Sequence, residues 1–507
     1  MKLNLRSMVS AGLAAAAGLA AATTLYGCVI TVQIDPAKDV GRYWAHLNGV
    51  VQTYAQPATY WYEVKENALT DWTWAHRTPR RRFAANSQPT QIRDWVTGLK
   101  PGTAYAYRLC GSADGAAVSC SDSSGTLHTF TTKAPTTMKW VIVDPSSPKH
   151  LALQGGGRFV PWGNNWAKMH PTRGGYDLLE DRMYTEAGMQ EIDVELDKLA
   201  ASSARPAGTL NVVRLHLQFH EFLLDATTPN REALARLLRV VEKAEDRQLY
   251  FMITGLGYFY PKDNPAWVLA QHEAERWESQ ALWWNSVAGA VANSPGVFSL
   301  DLINEPAVPG SSRWDSGWGR YTGAQSDGYC TYGSNPELGT HGTCYVQFIT
   351  AEPGARPLPD IARDWTQKMK HAIRFTSFFP NDTRHLITVG GPYPMFNHAS
   401  VMQELDIISP HLYPDSDGQE MIDLARTLSQ TSQKPVIVGE TFPFGDVRRL
   451  ISNVCNDGTA QGWIGQFDGR VLGEACPNGC ILYEAWYQVQ RDYGPAIRSG
   501  SCPPRLP

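Results

Sequence analysis

The stretch Val297–Pro306 reads VFSLDLINEP, an apolar run of strand length that stops at a polar Asn-Glu-Pro triplet. Mostly apolar runs of roughly four to eight residues are typical of strands that are buried on both faces of a parallel sheet. A proline directly after the run removes a backbone donor and ends the ladder there. The stretch therefore predicts a buried parallel strand with Asn304 and Glu305 at its carboxyl end.

Seven other short apolar runs have the same character, with helical patterns between them. They are Phe159–Trp162, Asn211–Leu217, Leu249–Ile253, His385–Val389, Leu405–Ile408, Pro435–Val438 and Gly462–Phe467. One intervening segment, Arg231–Ala244, has the i, i+3, i+4 apolar spacing of an amphipathic helix. Eight strands that alternate with helices predict an α/β fold, a (β/α)8 TIM barrel over residues 151–507.

Two alternatives stay open at this point. Ile481–Trp486 could form the eighth strand in place of Gly462–Phe467. An open doubly wound sheet would also alternate strands with helices. Against it, the glycines of 155–157 precede the first run, whereas a phosphate-binding loop would follow it.

Residues 29–133 have a different pattern, with short strand-like runs and turn residues between them. The runs are Val29–Gln33, Ala45–Val51, Thr59–Val64, Tyr105–Cys110 and Thr126–Thr132. Short strands at this spacing predict an all-β sandwich. Leu99–Tyr105 reads LKPGTAY and resembles the Leu-x-Pro-Gly-Thr-x-Tyr turn of fibronectin type III domains. The resemblance implies such a domain over 28–134, with the Tyr105 hydroxyl bonded to nearby backbone, and a linker over 135–150.

The composition narrows the class of partner. The chain has 507 residues, a net charge of −4, 19% charged residues, 17 Trp, 21 Tyr and 16 Phe. An apolar fraction of 43% excludes a disordered chain. The charge gives no support to nucleic-acid binding, which depends on basic clusters. Many aromatic residues suit a neutral partner with flat apolar faces, such as a carbohydrate, although most single aromatic residues belong to a core.

The first 27 residues have the pattern of an export signal, since Lys2 and Arg6 precede Met8–Tyr26, which is rich in Ala, Gly and Leu. The segment closes with LYGC (25–28), which resembles a bacterial lipobox except that Tyr stands where a small residue is usual. The resemblance implies a lipid on Cys28 and membrane contact through this anchor. We expect an exported bacterial protein, either a cell-envelope lipoprotein or freely secreted; the many small residues disfavour a transmembrane anchor.

Cysteine parity agrees with a modified Cys28, because nine cysteines then become eight. An even set in an exported chain predicts disulfides. Proximity favours Cys110–Cys120 and Cys330–Cys344. The last four cysteines allow three pairings, and they are Cys455, Cys476, Cys480 and Cys502.

Two glutamates follow predicted strands, at the ends where a barrel builds its active face. Glu305 follows the fourth strand and Glu440 the seventh, so both carboxyl groups can face one barrel mouth. Cleavage of a glycosidic bond needs such a pair, one acid and one base or nucleophile. Their mutual repulsion keeps one protonated and one ionised, and Arg214 could hold the ionised one. Asn-Glu-Pro alone would fit a surface loop equally well.

The complete set of motifs is more specific. It comprises Arg214 in VVRLH, Asn304-Glu305-Pro306 after FSLDLI, His411-Leu412-Tyr413 after LDIISP, and Glu440 after KPVIVG. In their order and at these strand ends they resemble glycoside hydrolases of clan A, most closely family 5, the cellulase and mannanase family, over about residues 150–500. The resemblance implies a retaining glycosidase with Glu305 as acid/base and Glu440 as nucleophile.

The same resemblance implies roles for the neighbouring residues. Asn304 would bind the sugar 2-hydroxyl, and Arg214, His411 and Tyr413 would hold and polarise the nucleophile. The chain departs from the family at two strands. Glycines stand at the end of strand three, where a His is frequent, and Phe467-Asp468 stands late in strand eight, where a Trp is usual.

Further substrate-binding candidates lie beside the strand ends. They are Trp162, Asn164, Tyr258 and Trp463. The long segment 307–360 is rich in aromatic residues and could wall one side of a cleft. His216 and His220 lie too far apart on a strand for simple chelation, so neither a metal nor a cofactor is expected.

The sequence therefore predicts a monomeric enzyme that hydrolyses β-linked polysaccharides or oligosaccharides, with β-1,4-mannan and β-1,4-glucan as the leading substrates. Two alternatives keep the same scaffold. One is a non-catalytic carbohydrate-binding surface protein, and the other is a transglycosylase in which a sugar replaces water as acceptor.

Overall fold

The computed structural model describes residues 30–73, 75–113, 117–124, 127–166, 179–202, 210–257, 265–306, 349–350, 354–376, 379–380, 384–391, 396–470, 474 and 481–506. Several predictions concern residues outside these ranges: the signal segment 1–27, Cys28, Tyr258, most of 307–360, and the cysteines Cys330, Cys344, Cys476 and Cys480. Among the helices that are described, none combines the length and the apolar character needed to cross a bilayer.

Nine strands form an all-β N-terminal unit. They are β1 (Ile30–Ile34), β2 (Trp44–Thr53), β3 (Ala58–Glu66), β4 (His76–Arg77), β5 (Arg81–Phe83), β6 (Thr90–Thr97), β7 (Ala104–Ala113), β8 (Ser119–Cys120) and β9 (His128–Thr131). One sheet has the order β1-β2-β6, and the other has β4-β3-β7-β8, with β5 beside β3 and β9 beside β7. Leu47, Tyr62 and Leu109 belong to the apolar core that both sheets share.

Tyr105 adopts the corner contact that the LKPGTAY turn implies. Its hydroxyl accepts a hydrogen bond from the backbone N–H of Lys100 at 2.9 Å. The ring is buried and stacks on Phe130 with 5.5 Å between ring centroids. The turn is therefore fixed from both the polar and the apolar side of one tyrosine.

A small antiparallel sheet of β10 (Val141–Val143), β11 (Leu151–Leu153) and β12 (Arg158–Phe159) follows. Its apolar side chains share a core with Val212 and Ile437, which lie at the amino-terminal ends of their strands. The prediction of a linker over 135–150 was therefore wrong at 141–143, because this Val-Ile-Val run is held in a sheet at the base of the larger domain.

Seven parallel strands form the main sheet. They are β13 (Trp162–Trp166), β14 (Val212–Gln218), β17 (Tyr250–Gly257), β18 (Val297–Asn304), β21 (Leu386–Gly390), β22 (Ile437–Val438) and β23 (Gly462–Phe467). Their spatial order is β21-β18-β17-β14-β13-β23-β22. Two short hairpin pairs lie outside this sheet: β15 (Leu223–Asp225) with β16 (Thr228–Pro229), and β19 (Phe375–Thr376) with β20 (Phe379–Pro380).

The segment 408–411 connects the two edges of this sheet. Ser409 bridges in parallel to Gly390, the last residue of β21, while Ile408 and His411 bridge to Val436 and Glu440 on either side of β22. The predicted sixth strand therefore occupies its place as isolated bridges, and the sheet curls into a TIM-barrel-like arrangement.

The structure corrects the predicted first strand and decides between the two candidates for the eighth. The first barrel strand is Trp162–Trp166, later than the predicted Phe159–Trp162, because Phe159 belongs to the base sheet. Gly462–Phe467 is the eighth strand, and the alternative segment begins a helix at Ile481 instead.

Ten helices are described. They are α1 (Leu179–Arg182), α2 (Glu186–Ser202), α3 (Arg231–Asp246), α4 (Ala266–Leu269), α5 (Glu273–Val291), α6 (Leu358–Arg374), α7 (Ala399–Met402), α8 (Gln419–Ser432), α9 (Val447–Asn456) and α10 (Ile481–Arg498). The amphipathic pattern read from the sequence over 231–244 is confirmed by α3, whose first turn is capped by the Asn230 side chain.

Buried polar contacts fix the N-terminal unit to the barrel helices. Tyr43 donates to both carboxylate oxygens of Glu245 in α3, at 2.8 and 3.0 Å. The Ser294 hydroxyl donates to the same carboxylate at 2.6 Å. Burial raises the pKa of Glu245 to about 6. The two parts therefore share a hydrogen-bonded interior, which fixes their relative orientation.

Two disulfides are present among the described residues. Cys110 pairs with Cys120 across β7 and β8, as proximity predicts. Cys455 in α9 pairs with Cys502, which joins the C-terminal segment to the barrel wall. This pairing is one of those that the sequence left open.

Candidate active site

The centre of the barrel mouth holds an ion pair between Arg214 and Glu440. Arg214 lies in β14, fully buried, and its Nη1 donates to Glu440 Oε1 at 2.6 Å. Glu440 follows β22, and 12% of its side chain is exposed. Tyr413 donates from its hydroxyl to Glu440 Oε2 at 2.5 Å. Both carboxylate oxygens of Glu440 therefore accept strong hydrogen bonds, which favours the ionised form.

The second carboxyl group, Glu305, follows β18 in a strained backbone conformation. Its φ is 47°, in the left-handed region that costs a non-glycine residue about 1–3 kcal/mol. The Glu305 N–H donates to the Gly390 carbonyl at 2.8 Å, which holds this turn. The turn leaves the side chain 20% exposed at the barrel mouth.

His411 lies between the two carboxyl groups. Its Nδ1 is 2.8 Å from Glu305 Oε1 and 3.4 Å from Glu440 Oε2. A ring nitrogen facing two carboxylates acts as the donor. The Glu305, His411 and Glu440 ligand atoms all lie within 4.8 Å of one another. The structure thus brings together the pair and the histidine that the sequence motifs selected.

Charge around Glu440 explains its protonation state. Burial opposes ionisation, but neighbouring His411 and Arg214 outweigh it and lower the pKa of Glu440 to about 2. Burial, together with the adjacent Arg214, also lowers the pKa of His216 to about 3. Neutral His216 can then accept a hydrogen bond from Arg214 Nη1, 3.1 Å from its Nε2.

Arg214 has further partners that the sequence motifs did not indicate. Its Nε and Nη2 donate to Asp301 Oδ2 at 3.0 and 2.6 Å. Nη2 also donates to Asn304 Oδ1 at 2.9 Å, and Nη1 donates to Asn165 Oδ1 at 2.8 Å. Asp301 and Asn165 lie inside strands rather than after them, so a search at strand ends overlooks both.

Three predicted substrate-binding residues lie elsewhere. Asn164 is 1% exposed and accepts hydrogen bonds from Trp486 Nε1 and Gln490 Nε2 in α10, at 2.7 and 2.8 Å. Trp162 and Trp463 are buried and contact each other's rings, 6.0 Å apart. Alternation along a strand sends these side chains toward the helices, and their neighbours toward the barrel axis.

Two side chains that were not predicted border the site. Gln466 in β23 donates from Nε2 to the Tyr413 hydroxyl at 3.4 Å. Phe444, in the loop after Glu440, is 62% exposed, and its ring lies 5.7 Å from the Tyr413 ring. Phe442 supports it from below, with 5.4 Å between ring centroids. The sequence alone does not show whether a phenylalanine such as Phe444 is exposed at the site or buried in the core.

Glu305, His411 and Glu440 also have the ligand types and the spacing of a metal site. Arg214, however, places a buried positive charge 2.6 Å from Glu440. A dication at the same carboxylate would face that charge across a low-dielectric interior. The donor set therefore fits an ion pair better than a metal ion.

Comparisons with known proteins gave distant structural similarity only. No protein-family model matches the sequence, and no curated protein matches it. The exo-β-1,4-mannosidase Op5Man5 from Opitutaceae bacterium strain TAV5 is similar with a TM-score of 0.42 and 15% identity over 71% of this chain. The Ruminococcus gnavus β-glucuronidase is similar with a TM-score of 0.40 and 10% identity over 91% of this chain. The Bacteroides uniformis β-glucuronidase is similar with a TM-score of 0.36 and 11% identity over 86% of this chain. This chain covers 60%, 66% and 45% of those chains, which is less than two thirds of each.

The low pKa of Glu440 predicts a specific acid sensitivity. Because the pKa of about 2 lies below the ordinary 4.5, the ionised carboxylate stabilises the fold above pH 4.5, and this contribution is lost as the pH falls toward 2. We expect the free energy of unfolding to fall by about 2 kcal/mol more in the wild type than in Glu440→Gln between pH 6 and pH 3, as measured by urea titration. Equal falls would show that Glu440 titrates normally.

Proposed function

We propose that the chain is a retaining glycoside hydrolase that cleaves O-glycosidic bonds of β-linked polysaccharides or oligosaccharides. The observation that carries the proposal is the pairing of two carboxyl groups with different environments at one barrel mouth. Glu440 is held ionised by Arg214 and Tyr413, whereas Glu305 faces His411 and is more exposed. A nucleophile and an acid need this difference.

The geometry supports a double displacement. Glu440 attacks the anomeric carbon while Glu305 gives its proton to the leaving oxygen, and the glycosidic bond breaks. Glu305 then takes a proton from water, whose oxygen attacks the same carbon and releases Glu440. Retaining enzymes place the two carboxyl groups about 5–5.5 Å apart, inverting ones about 6.5–9.5 Å. One carboxyl oxygen of Glu305 and one of Glu440 lie within 4.8 Å of each other, which supports the shorter separation of a retaining enzyme.

Supporting residues have matching tasks in this proposal. Arg214 and Tyr413 keep the nucleophile ionised and oriented, and His411 links the two glutamates. The hydrogen bond from Arg214 orients the Asn304 amide, to which the family 5 resemblance assigns the sugar 2-hydroxyl. β-1,4-Mannan and β-1,4-glucan are the proposed substrates, and no metal or cofactor takes part.

Replacement of either glutamate tests the reaction. Hydrolysis of mannan, glucan and xylan oligomers should fall by about 10³-fold or more in Glu440→Ala, because the nucleophile is lost. Glu305→Gln should lose natural substrates but keep activity on aryl glycosides with good leaving groups, which need no acid. Proton NMR of the first wild-type product should show the retained β-anomer.

Matched controls separate the alternatives. Glu420→Gln removes an exposed carboxylate from α8 and should leave activity unchanged. Activity should also survive a chelator such as EDTA, whereas its loss would indicate a metal at Glu305, His411 and Glu440. An inverted product would overturn the double displacement. Binding without hydrolysis by the wild type would indicate a carbohydrate-binding protein, and products longer than the substrate would indicate a transglycosylase.

Phe444 provides a further contact in this proposal. Its exposed ring lies against the ring of Tyr413, which contacts Glu440, and it offers a flat apolar face to a sugar ring in the neighbouring subsite. Phe444→Ala should raise KM for oligosaccharides by about 3–10-fold, since aromatic stacking contributes about 0.5–1.5 kcal/mol. Phe375→Ala is the matched control, because that ring is 53% exposed and follows α6, away from the site. Equal KM values for both variants would remove Phe444 from the cleft.

The N-terminal unit is proposed to be a fibronectin type III-like domain over 28–134. Its two sheets and the Tyr105 corner support this assignment. The chain has two disulfides among its described residues, and disulfides are typical of exported proteins. We propose export to the cell envelope or medium of a bacterium, as a monomer, with a lipid on Cys28.

Lipidation can be tested directly by intact mass. Expression in a bacterial host should give a mature chain that begins at Cys28 and carries the added mass of a diacylglycerol, and Cys28→Ser should abolish both. A mature chain cleaved elsewhere with unmodified Cys28 would contradict the lipoprotein proposal.

A further inference from the structure

Asp301 is a buried carboxylate in the middle of β18, three residues before Asn304. It is fully buried, and it is surrounded by donors. Oδ2 accepts from Arg214 Nε and Nη2, and from the Thr254 hydroxyl at 2.8 Å. Oδ1 accepts from the Gly390 N–H at 2.7 Å. The carboxylate thus accepts four hydrogen bonds, three on Oδ2 and one on Oδ1, which fixes its orientation.

The hydrogen bonds from Arg214 connect Asp301 to Glu440. Asp301 Oδ2 holds the Nε–Nη2 edge of the Arg214 guanidinium, and the remaining nitrogen of that rigid plane, Nη1, donates to Glu440 Oε1 at 2.6 Å. Because the guanidinium is planar, a shift at Asp301 turns the whole group and moves the nitrogen that contacts Glu440.

The hydrogen bond from the Gly390 N–H connects Asp301 to Glu305. Asp301 holds the N–H of Gly390, and the carbonyl of the same residue accepts from the Glu305 N–H at 2.8 Å. That bond stabilises the left-handed turn at Glu305, where φ is 47°. The space around Gly390 is tight, since an added Cβ would lie 2.6 Å from Arg214 Nη2 and 2.9 Å from Asp301 Oδ2. The peptide therefore has little room to adjust.

We infer that Asp301 is a positioning residue that sets the geometry of both glutamates at once, through Arg214 for Glu440 and through Gly390 for Glu305. The inference rests on the proposed glycosidase function for its kinetic consequence, but its structural consequence does not. Asp301 has no exposed surface and cannot touch substrate, so its effect must pass through these two connections.

Asp301→Asn tests the inference, because the amide keeps the shape but places N–H groups or a weaker acceptor against Arg214. We expect kcat to fall by about 10²-fold, the cost of a misplacement of about 1 Å, with KM within about threefold of the wild type. Glu245→Gln is the matched control. It also neutralises a fully buried carboxylate, at the domain interface, and should lower thermal stability while leaving kcat per folded molecule unchanged.

A crystal structure of Asp301→Asn separates this inference from the proposed function. We expect the Arg214 Nη1–Glu440 Oε1 contact to open beyond hydrogen-bonding distance, whether or not any glycoside is cleaved. If the wild type cleaves no glycoside, the proposed function fails, and this contact alone decides the inference. An unchanged Arg214–Glu440 contact, or kcat within about threefold of the wild type, would overturn it.

Asp301→Glu covers the case in which the amide variant does not fold. It keeps the charge that compensates Arg214 but moves the carboxylate by one methylene toward the tight space at Gly390. A folded Asp301→Glu protein with reduced kcat and unchanged KM supports positioning. Wild-type kcat in this variant contradicts it.

Discussion

The structure of the barrel mouth depends on one constraint, the burial of the Arg214 guanidinium. A cation without exposed surface costs several kcal/mol unless every N–H finds an acceptor. The acceptors come from three different strands or their ends, namely Asn165 on β13, Asp301 and Asn304 on β18, and Glu440 after β22. Those strands must therefore meet in one register around the arginine. The requirement that stabilises the buried charge also brings the catalytic candidates together in the folded state.

The sequence was sufficient to locate the candidate site residues that directly follow a strand. Apolar runs followed by polar residues located Glu305 and Glu440, and the structure places both beside His411. The first strand shows the limit of this reasoning. A shift of one residue along a strand exchanges its two faces. Asn164, proposed for substrate, therefore contacts α10, while its neighbour Asn165 faces the barrel axis and binds Arg214.

Some questions depended on context that a single sequence does not carry. The sequence left Ile481–Trp486 open as an alternative eighth strand, because short apolar runs do not distinguish a strand from a helix buried on one side, and in the structure Ile481 begins α10. Asp301 is one acid within an apolar run, and only its three-dimensional neighbours show that it links Arg214 and Gly390. The strand Val141–Val143 was not predicted, because the proline and threonine residues before it are typical of a linker. The α/β alternation was predictable; the partners of each buried polar group were not.

The eighth strand and the loop after Glu440 both contact Tyr413. Gln466 in β23 donates to the hydroxyl of Tyr413, and its amide offers no flat apolar face. Phe444, on the loop that follows Glu440, has an exposed ring that is tilted against the ring of the same tyrosine. Tyr413 thus has an amide at its hydroxyl and a tilted phenyl ring beside its own ring. Phe444 belongs to the same loop as Glu440, the proposed nucleophile. In the proposed function, a change in the aromatic contact and a change in the geometry of the nucleophile would therefore be coupled through Tyr413.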